Sequence, residues 1–137
     1  MQVNSEVLGL HQSLTVSLWV KVLDDSSGVL VRNGQFALQY NEDLSLRAMV
    51  STSEGWSTSK ANLLSGEWIH CSMTYDGEYL RLFLNGFLAN ESSHSGYLTW
   101  GDGDDHILYL NRSSTAGNQG KAIYDELRIY KRALSSS

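Results

Sequence analysis

The chain has 137 residues, of which 42% are hydrophobic and 18% charged, and its formal net charge is −5 at pH 7. This is one ordinary globular domain, long enough to bury a core without disulfide or metal staples and too apolar to be disordered. Arg32, Arg47, Arg81, Arg112 and Arg128 stand singly along it, which excludes the gathered cations that nucleic acid requires.

No apolar run approaches the roughly 20 residues that span a bilayer, so membrane insertion is not expected. No signal peptide is visible, which says little for a module of a longer protein. Cys71 is the single cysteine, so an internal disulfide is impossible. A thiol among apolar neighbours suits any compartment.

Met1 to Gln12 is polar and irregular. Leu14 to Leu23 alternates Leu14, Val16, Leu18, Val20 and Val22 with Thr15, Ser17, Trp19 and Lys21, and so reads as a strand with one buried face. A turn cluster from Asp24 to Gly28 leads into a short strand, Val29 to Val31. Asn33-Gly34 turns the chain into Gln35 to Tyr40, and Asn41 to Asp43 turns it into Leu44 to Val50. Ser51 to Lys60 reads as a long polar loop holding Trp56.

Trp68 to Gly86 gives the plainest signal. Ile69, Cys71 and Met73 alternate with His70, Ser72 and Thr74, and Leu80, Leu82 and Leu84 with Arg81, Phe83 and Asn85. Asp76-Gly77 and Asn85-Gly86 are the dipeptides favoured in two-residue hairpin turns. Phe87 to Asn90 pairs back as a short strand. Ser92 to Asp105 is a second long loop with Tyr97, Trp100 and the acidic run Asp102, Asp104, Asp105. Ile107 to Asn111 and Ala122 to Tyr130 are the last strands, separated by a loop from Ser113 to Gly120. About ten short strands divided by turn signals, with no helical stripe, predict an all-β sandwich or barrel with antiparallel pairing.

Three segments then resemble the laminin-G-like branch of the concanavalin A-like lectin/glucanase superfamily. They are LTVSLWVK from Leu14 to Lys21, EWIHCSMTYDGEYLRLFLNG from Glu67 to Gly86, and YDELRIYKRAL from Tyr124 to Leu134. The resemblance covers nearly the whole chain and implies a single domain, residues 1–137, folded as a jelly-roll sandwich of two antiparallel sheets. It also implies carbohydrate or protein recognition, often with a calcium ion. The family's opening strand is expected to be truncated here, with only Met1-Gln2-Val3 as its tail. Because the closing strand normally pairs with that opening strand, the expectation is either a mere chain boundary or an open edge that accepts a neighbour's strand.

The superfamily's hydrolases carry Glu-x-Asp-x-x-Glu, and no such run exists here. Asp125 and Glu126 are adjacent, which on a regular strand sends them to opposite faces, so a catalytic carboxylate pair is not expected. His70 is expected to pack structurally, and His11, His94 and His106 have no zinc-like spacing. Trp19 and Trp68, within the family motifs, are expected in the core. Trp56 and Trp100 fall outside the motifs and read either as lids folded over a sheet or as platforms for a sugar ring. The candidate ligand site is therefore Trp56, Tyr97 and Trp100, with Asp102, Asp104 and Asn118 as hydroxyl partners.

Asp102, Asp104 and Asp105 are the calcium candidates on charge, set against a plain polar turn. An EF-hand is excluded because Ser113 stands where the twelfth-position glutamate belongs. Asp125 joins them only because it matches the family's closing motif. The expected function is a non-catalytic glycan-binding or adhesion module, extracellular or on a cell or virion surface within a larger protein. The alternative is a protein-interaction or assembly module, monomeric or weakly self-associating through the open sheet edge.

Overall fold

The structure is a computed structural model that describes residues 2–4, 12–22, 28–40, 45–62, 67–100, 107–113 and 122–134. Those residues hold eleven strands and no helix: β1 (Gln2–Asn4), β2 (Leu14–Val22), β3 (Gly28–Arg32), β4 (Phe36–Tyr40), β5 (Ser45–Thr52), β6 (Gly55–Asn62), β7 (Ile69–Tyr75), β8 (Tyr79–Leu84), β9 (Phe87–Ser93), β10 (Ile107–Ser113) and β11 (Ala122–Tyr130).

They form two antiparallel sheets, one six-stranded in the order β1-β10-β3-β4-β5-β6 and one five-stranded in the order β11-β2-β7-β8-β9. The alternation in the sequence fixes which residues lie between them. Leu14, Val16, Leu18, Cys71, Met73, Tyr75, Leu80 and Leu82 from one sheet meet Phe36, Leu38, Tyr40, Leu46, Ala48 and Val50 from the other, all buried. Each fully buried Leu or Val contributes about 1.5–3 kcal/mol relative to exposure. Burial also pushes the Cys71 thiol up to about 12, which makes it a packing residue and a poor nucleophile.

Several expectations need correction. Ser51 to Lys60 is not a loop: β5 runs on to Thr52, turns at Ser53-Glu54, and returns as β6 with Trp56 opposite Ser51. Polar residues hid this strand because it is a sheet edge, where only Ser59 is buried. The Asp76 turn is a three-residue connection, Asp76 to Glu78, because the Asp76 carboxylate accepts the backbone N–H of Glu78 and of Tyr79, both at 2.8 Å. Asn85-Gly86 is the two-residue turn expected, with φ of 51° and 83°. The loop expected from Ser92 begins later, since β9 extends to Ser93.

The closing strand does not pair with the chain's first strand. Gln2 to Asn4 pairs with β10, whereas β11 pairs with β2 and forms an edge of the other sheet. The two sheets are joined at β6 and β9. Asn90 Nδ2 donates to the Lys60 carbonyl at 2.8 Å, and Ser92 Oγ donates to the Thr58 carbonyl at 2.9 Å.

Candidate functional site

The outer face of the six-stranded sheet follows from the register. Leu46, Ala48 and Val50 point into the core, so Arg47, Met49 and Ser51 point outward. Their partners across the sheet share that face: Lys60, Arg47 and Gln39 in one row, Thr58, Met49, Ala37 and Arg32 in the next, and Trp56 beside Ser51. Trp56 is 46% exposed. Arg47 is half-buried, and its Nε is fully buried with no hydrogen-bond partner.

The segment from His94 to Trp100 is latched to the end of this face. Leu98 bridges to Thr52, the Ser53 N–H donates to the Tyr97 carbonyl at 2.9 Å, and the Thr99 N–H donates to the Ser51 carbonyl at 2.9 Å. Thr52 Oγ1 donates to the Ser95 carbonyl at 2.9 Å and accepts the Glu54 N–H at 3.0 Å. His94 Nε2 lies 2.8 Å from Thr52 Oγ1 and 3.1 Å from the Gly55 carbonyl. A carbonyl only accepts, so the tautomer with the proton on Nε2 is the one that serves both. Below, Tyr75 donates its hydroxyl to the Gly96 carbonyl at 2.6 Å. Desolvation raises the Tyr75 phenol, and Asp76 and Glu54 raise it further, keeping that donor protonated.

The latch brings two of the expected residues to one end of the molecule: Trp56 on β6 and Tyr97 on the segment bonded to Ser53, 46% and 54% exposed. Trp100 follows Thr99 on the same segment and is half-buried. Asp102, Asp104, Asp105 and Asn118 lie outside the described residues. Asp125 is exposed on β11, and its carboxylate accepts the Glu126 N–H at 2.9 Å. Among the described residues no three His, Cys, Asp or Glu side chains gather as a metal site, so no step is routed through calcium.

The outer face of the five-stranded sheet was not anticipated as a site. Trp19 and Trp68 are 38% and 45% exposed rather than core. Trp19 sits opposite His70 and meets it edge to face, with ring centroids 5.2 Å apart. One row across four strands reads Arg128, Ser17, Ser72, Phe83. The two serines make a low floor between taller side chains, leaving a groove of about 270 Å³ that Glu126, Tyr130, His70 and Leu134 also line.

The reason Glu126 faces this groove is a β-bulge. Register shifts between Asp125 and Arg128, and Glu126 takes a left-handed φ of 53°. The bulge breaks the alternation on which opposite-face placement of Asp125 and Glu126 relied; both are exposed. After β11 the chain folds back over β2. Thr15 Oγ1 donates to the Arg132 carbonyl at 2.6 Å and accepts the Leu134 N–H at 2.9 Å, which sets Leu134 as a wall.

A family model described as the concanavalin A-like lectin/glucanases superfamily matches residues 1–137. A search of curated protein sequences found no match. Among solved structures, the binding domain of botulinum neurotoxin DC in complex with SialylT aligns at TM-score 0.71 and 10% identity, covering 96% of this chain and 35% of that one. Domains LG4-5 of the mouse laminin alpha1 chain align at 0.67 and 16%, covering 91% of this chain and 38% of that one. The Ruminococcus gnavus IT-sialidase CBM40 bound to alpha2,3 sialyllactose aligns at 0.71 and 16%, covering 96% and 82%. This chain thus spans only about a third of the neurotoxin and laminin chains. At such identities these likenesses show the shared two-sheet sandwich.

Proposed function

The chain belongs to the concanavalin A-like lectin/glucanase superfamily, and from that premise we propose that it is a non-catalytic carbohydrate-binding module of a secreted or surface protein. The carrying observation is the outer face of the six-stranded sheet, where exposed Trp56 shares a surface with half-buried Arg47 and exposed Lys60. A tryptophan plane takes the C–H face of a sugar ring, and cationic N–H groups that reach solvent donate to its hydroxyl or ring oxygens.

Ser51, opposite Trp56, lies four residues from Arg47 along β5, about 13 Å at the rise of a strand. That spacing suits a chain of two or three sugar rings rather than one. The likeness to the neurotoxin binding domain in complex with SialylT and to the CBM40 bound to alpha2,3 sialyllactose supports this reading. The same relatives, with laminin, support an extracellular setting.

The test is a glycan array followed by titration of hits of increasing length. Affinity rises from mono- to trisaccharide, and Trp56→Ala weakens the best ligand about tenfold, as loss of an aromatic contact of about 1.4 kcal/mol predicts. An array without hits, or a Trp56→Ala affinity equal to the parent's, removes the proposal.

One observation favours the alternative of a protein-interaction module. Phe87 and Leu88 on edge strand β9 are 78% and 50% exposed. Self-association lost in a Phe87→Ser variant, together with a blank array, would select it.

A further inference from the structure

The groove across the five-stranded sheet lies on the opposite outer face from Trp56 and Arg47, and its chemistry is different. Arg128 is exposed and forms neither of the described ion pairs, both of which belong to Arg81. Beside it the bulge presents Glu126, an acceptor. The floor is Ser17 and Ser72, each a donor and acceptor, and the walls are Phe83, Tyr130 and Leu134.

We propose that this groove is a second ligand site and that it takes a carboxylate-bearing sugar ring. A guanidinium fork matches a carboxylate with two parallel N–H···O bonds, and its charge is complementary to an acidic sugar at neutral pH. Ring hydroxyls find Glu126, Ser17 and Ser72, and a C–H face lies against Phe83 or Tyr130. A cavity of about 270 Å³ sits just under the usual range of roughly 300–1,000 Å³ for small-molecule pockets, which fits one ring and not a chain. The bulge sets this lining: at Glu126, with φ of 53°, the alternation of the strand breaks and the glutamate side chain joins the groove wall.

This site stands or falls separately from the Trp56 face. The experiment titrates the full chain with methyl β-glucuronide and methyl β-glucoside, which differ only in the carboxylate, and follows backbone amide resonances. The expected result is shifts at Ser17, Ser72, His70 and Arg128 with the glucuronide, and affinity at least tenfold above the glucoside's. Arg128→Gln removes that preference, Arg128→Lys keeps part of it, and Ser72→Phe, which fills the floor, removes binding. Trp56→Ala leaves the preference unchanged.

Equal affinity for the two glycosides, shifts confined to β5 and β6, or a preference that survives Arg128→Gln overturns the proposal. So does acetate giving the same shifts at the same concentration, which would make it a bare carboxylate site. A dipeptide with a free C-terminal carboxylate that binds more tightly than the glucuronide overturns the saccharide assignment.

Discussion

The aromatic end of the six-stranded sheet and the groove on the five-stranded sheet reach an open, ligand-ready surface by different physical means. The first is assembled from segments far apart in sequence, β5, β6 and His94 to Trp100, tied by hydrogen bonds that converge on Thr52. The second is cut into consecutive sheet strands by short side chains on its floor and one bulge at its rim. A latched surface should fail by detachment, while a groove in a sheet should keep its fold and lose only its chemistry.

Gly96→Ala strikes the latch hardest. Gly96 has φ of 107°, and a Cβ there would collide with Ser53 Oγ and press on Thr52 Oγ1 at 3.1 Å. The expected loss is about 2–3 kcal/mol in urea unfolding, with amide shifts around Trp56 and Tyr97 and none at Ser17 or Ser72. Thr15→Val is the counterpart on the other face. It strips the Arg132 carbonyl and Leu134 N–H of their shared partner at a buried hydroxyl, costing about 2 kcal/mol. Preference for the glucuronide should fall while Trp56 fluorescence is unchanged.

Glu126→Gly separates stability from binding. Relief of a left-handed non-glycine residue stabilises the fold by up to about 1 kcal/mol, yet the groove loses its acceptor. A variant both less stable and unchanged in binding would show that the bulge is not a binding device.

The smallest effect is at Asp76, in the turn between β7 and β8. Partial burial raises its carboxyl, but the Glu78 and Tyr79 N–H groups and Arg81 outweigh this and hold it below the ordinary carboxylate range. Its folded value is thus lower than its unfolded value of about 3.9. The stabilisation is fully present above that unfolded value and is lost as pH falls through the folded one. Asp76→Asn should cost a few tenths of a kcal/mol at pH 6, since the pair with Arg81 is partly exposed, and the difference from the parent should vanish near pH 2. Thermal melts at several pH values measure it.

The sandwich was legible because its central strands bury one face each. Leu14 to Val20 and Ile69 to Tyr75 alternate so regularly that apolar and polar sets could not be assigned to other faces. The same alternation also placed Trp19 with Thr15 and Ser17 on the outward set, and expecting it in the core gave motif membership more weight than parity. Strand β6 was hidden because an edge strand needs no apolar face, so Gly55 to Asn62 reads as a polar loop. Trp56 and Tyr97 were named as candidate ligand residues, with Trp56 left open between lid and platform, but not the latch, which joins Thr52 to His94 and Ser95 through contacts no local pattern encodes. The groove was invisible for a related reason. Glycine, asparagine and aspartate signal positive φ in sequence, and glutamate does not, so nothing marked the bulge that turns Glu126 toward Arg128.

The bonds from Asn90 and Ser92 to the carbonyls of Lys60 and Thr58 bear on how copies of this fold can coexist at high concentration. Those carbonyls are outward acceptors of the six-stranded sheet's last strand, the groups onto which a foreign strand would zip. With side chains of the other sheet already seated on them, β6 is a poor template for cross-β growth. Cutting both bonds, as in an Asn90→Ala/Ser92→Ala pair, turns a closed seam into a sticky one, so polymerisation rather than unfolding is the failure it should bring.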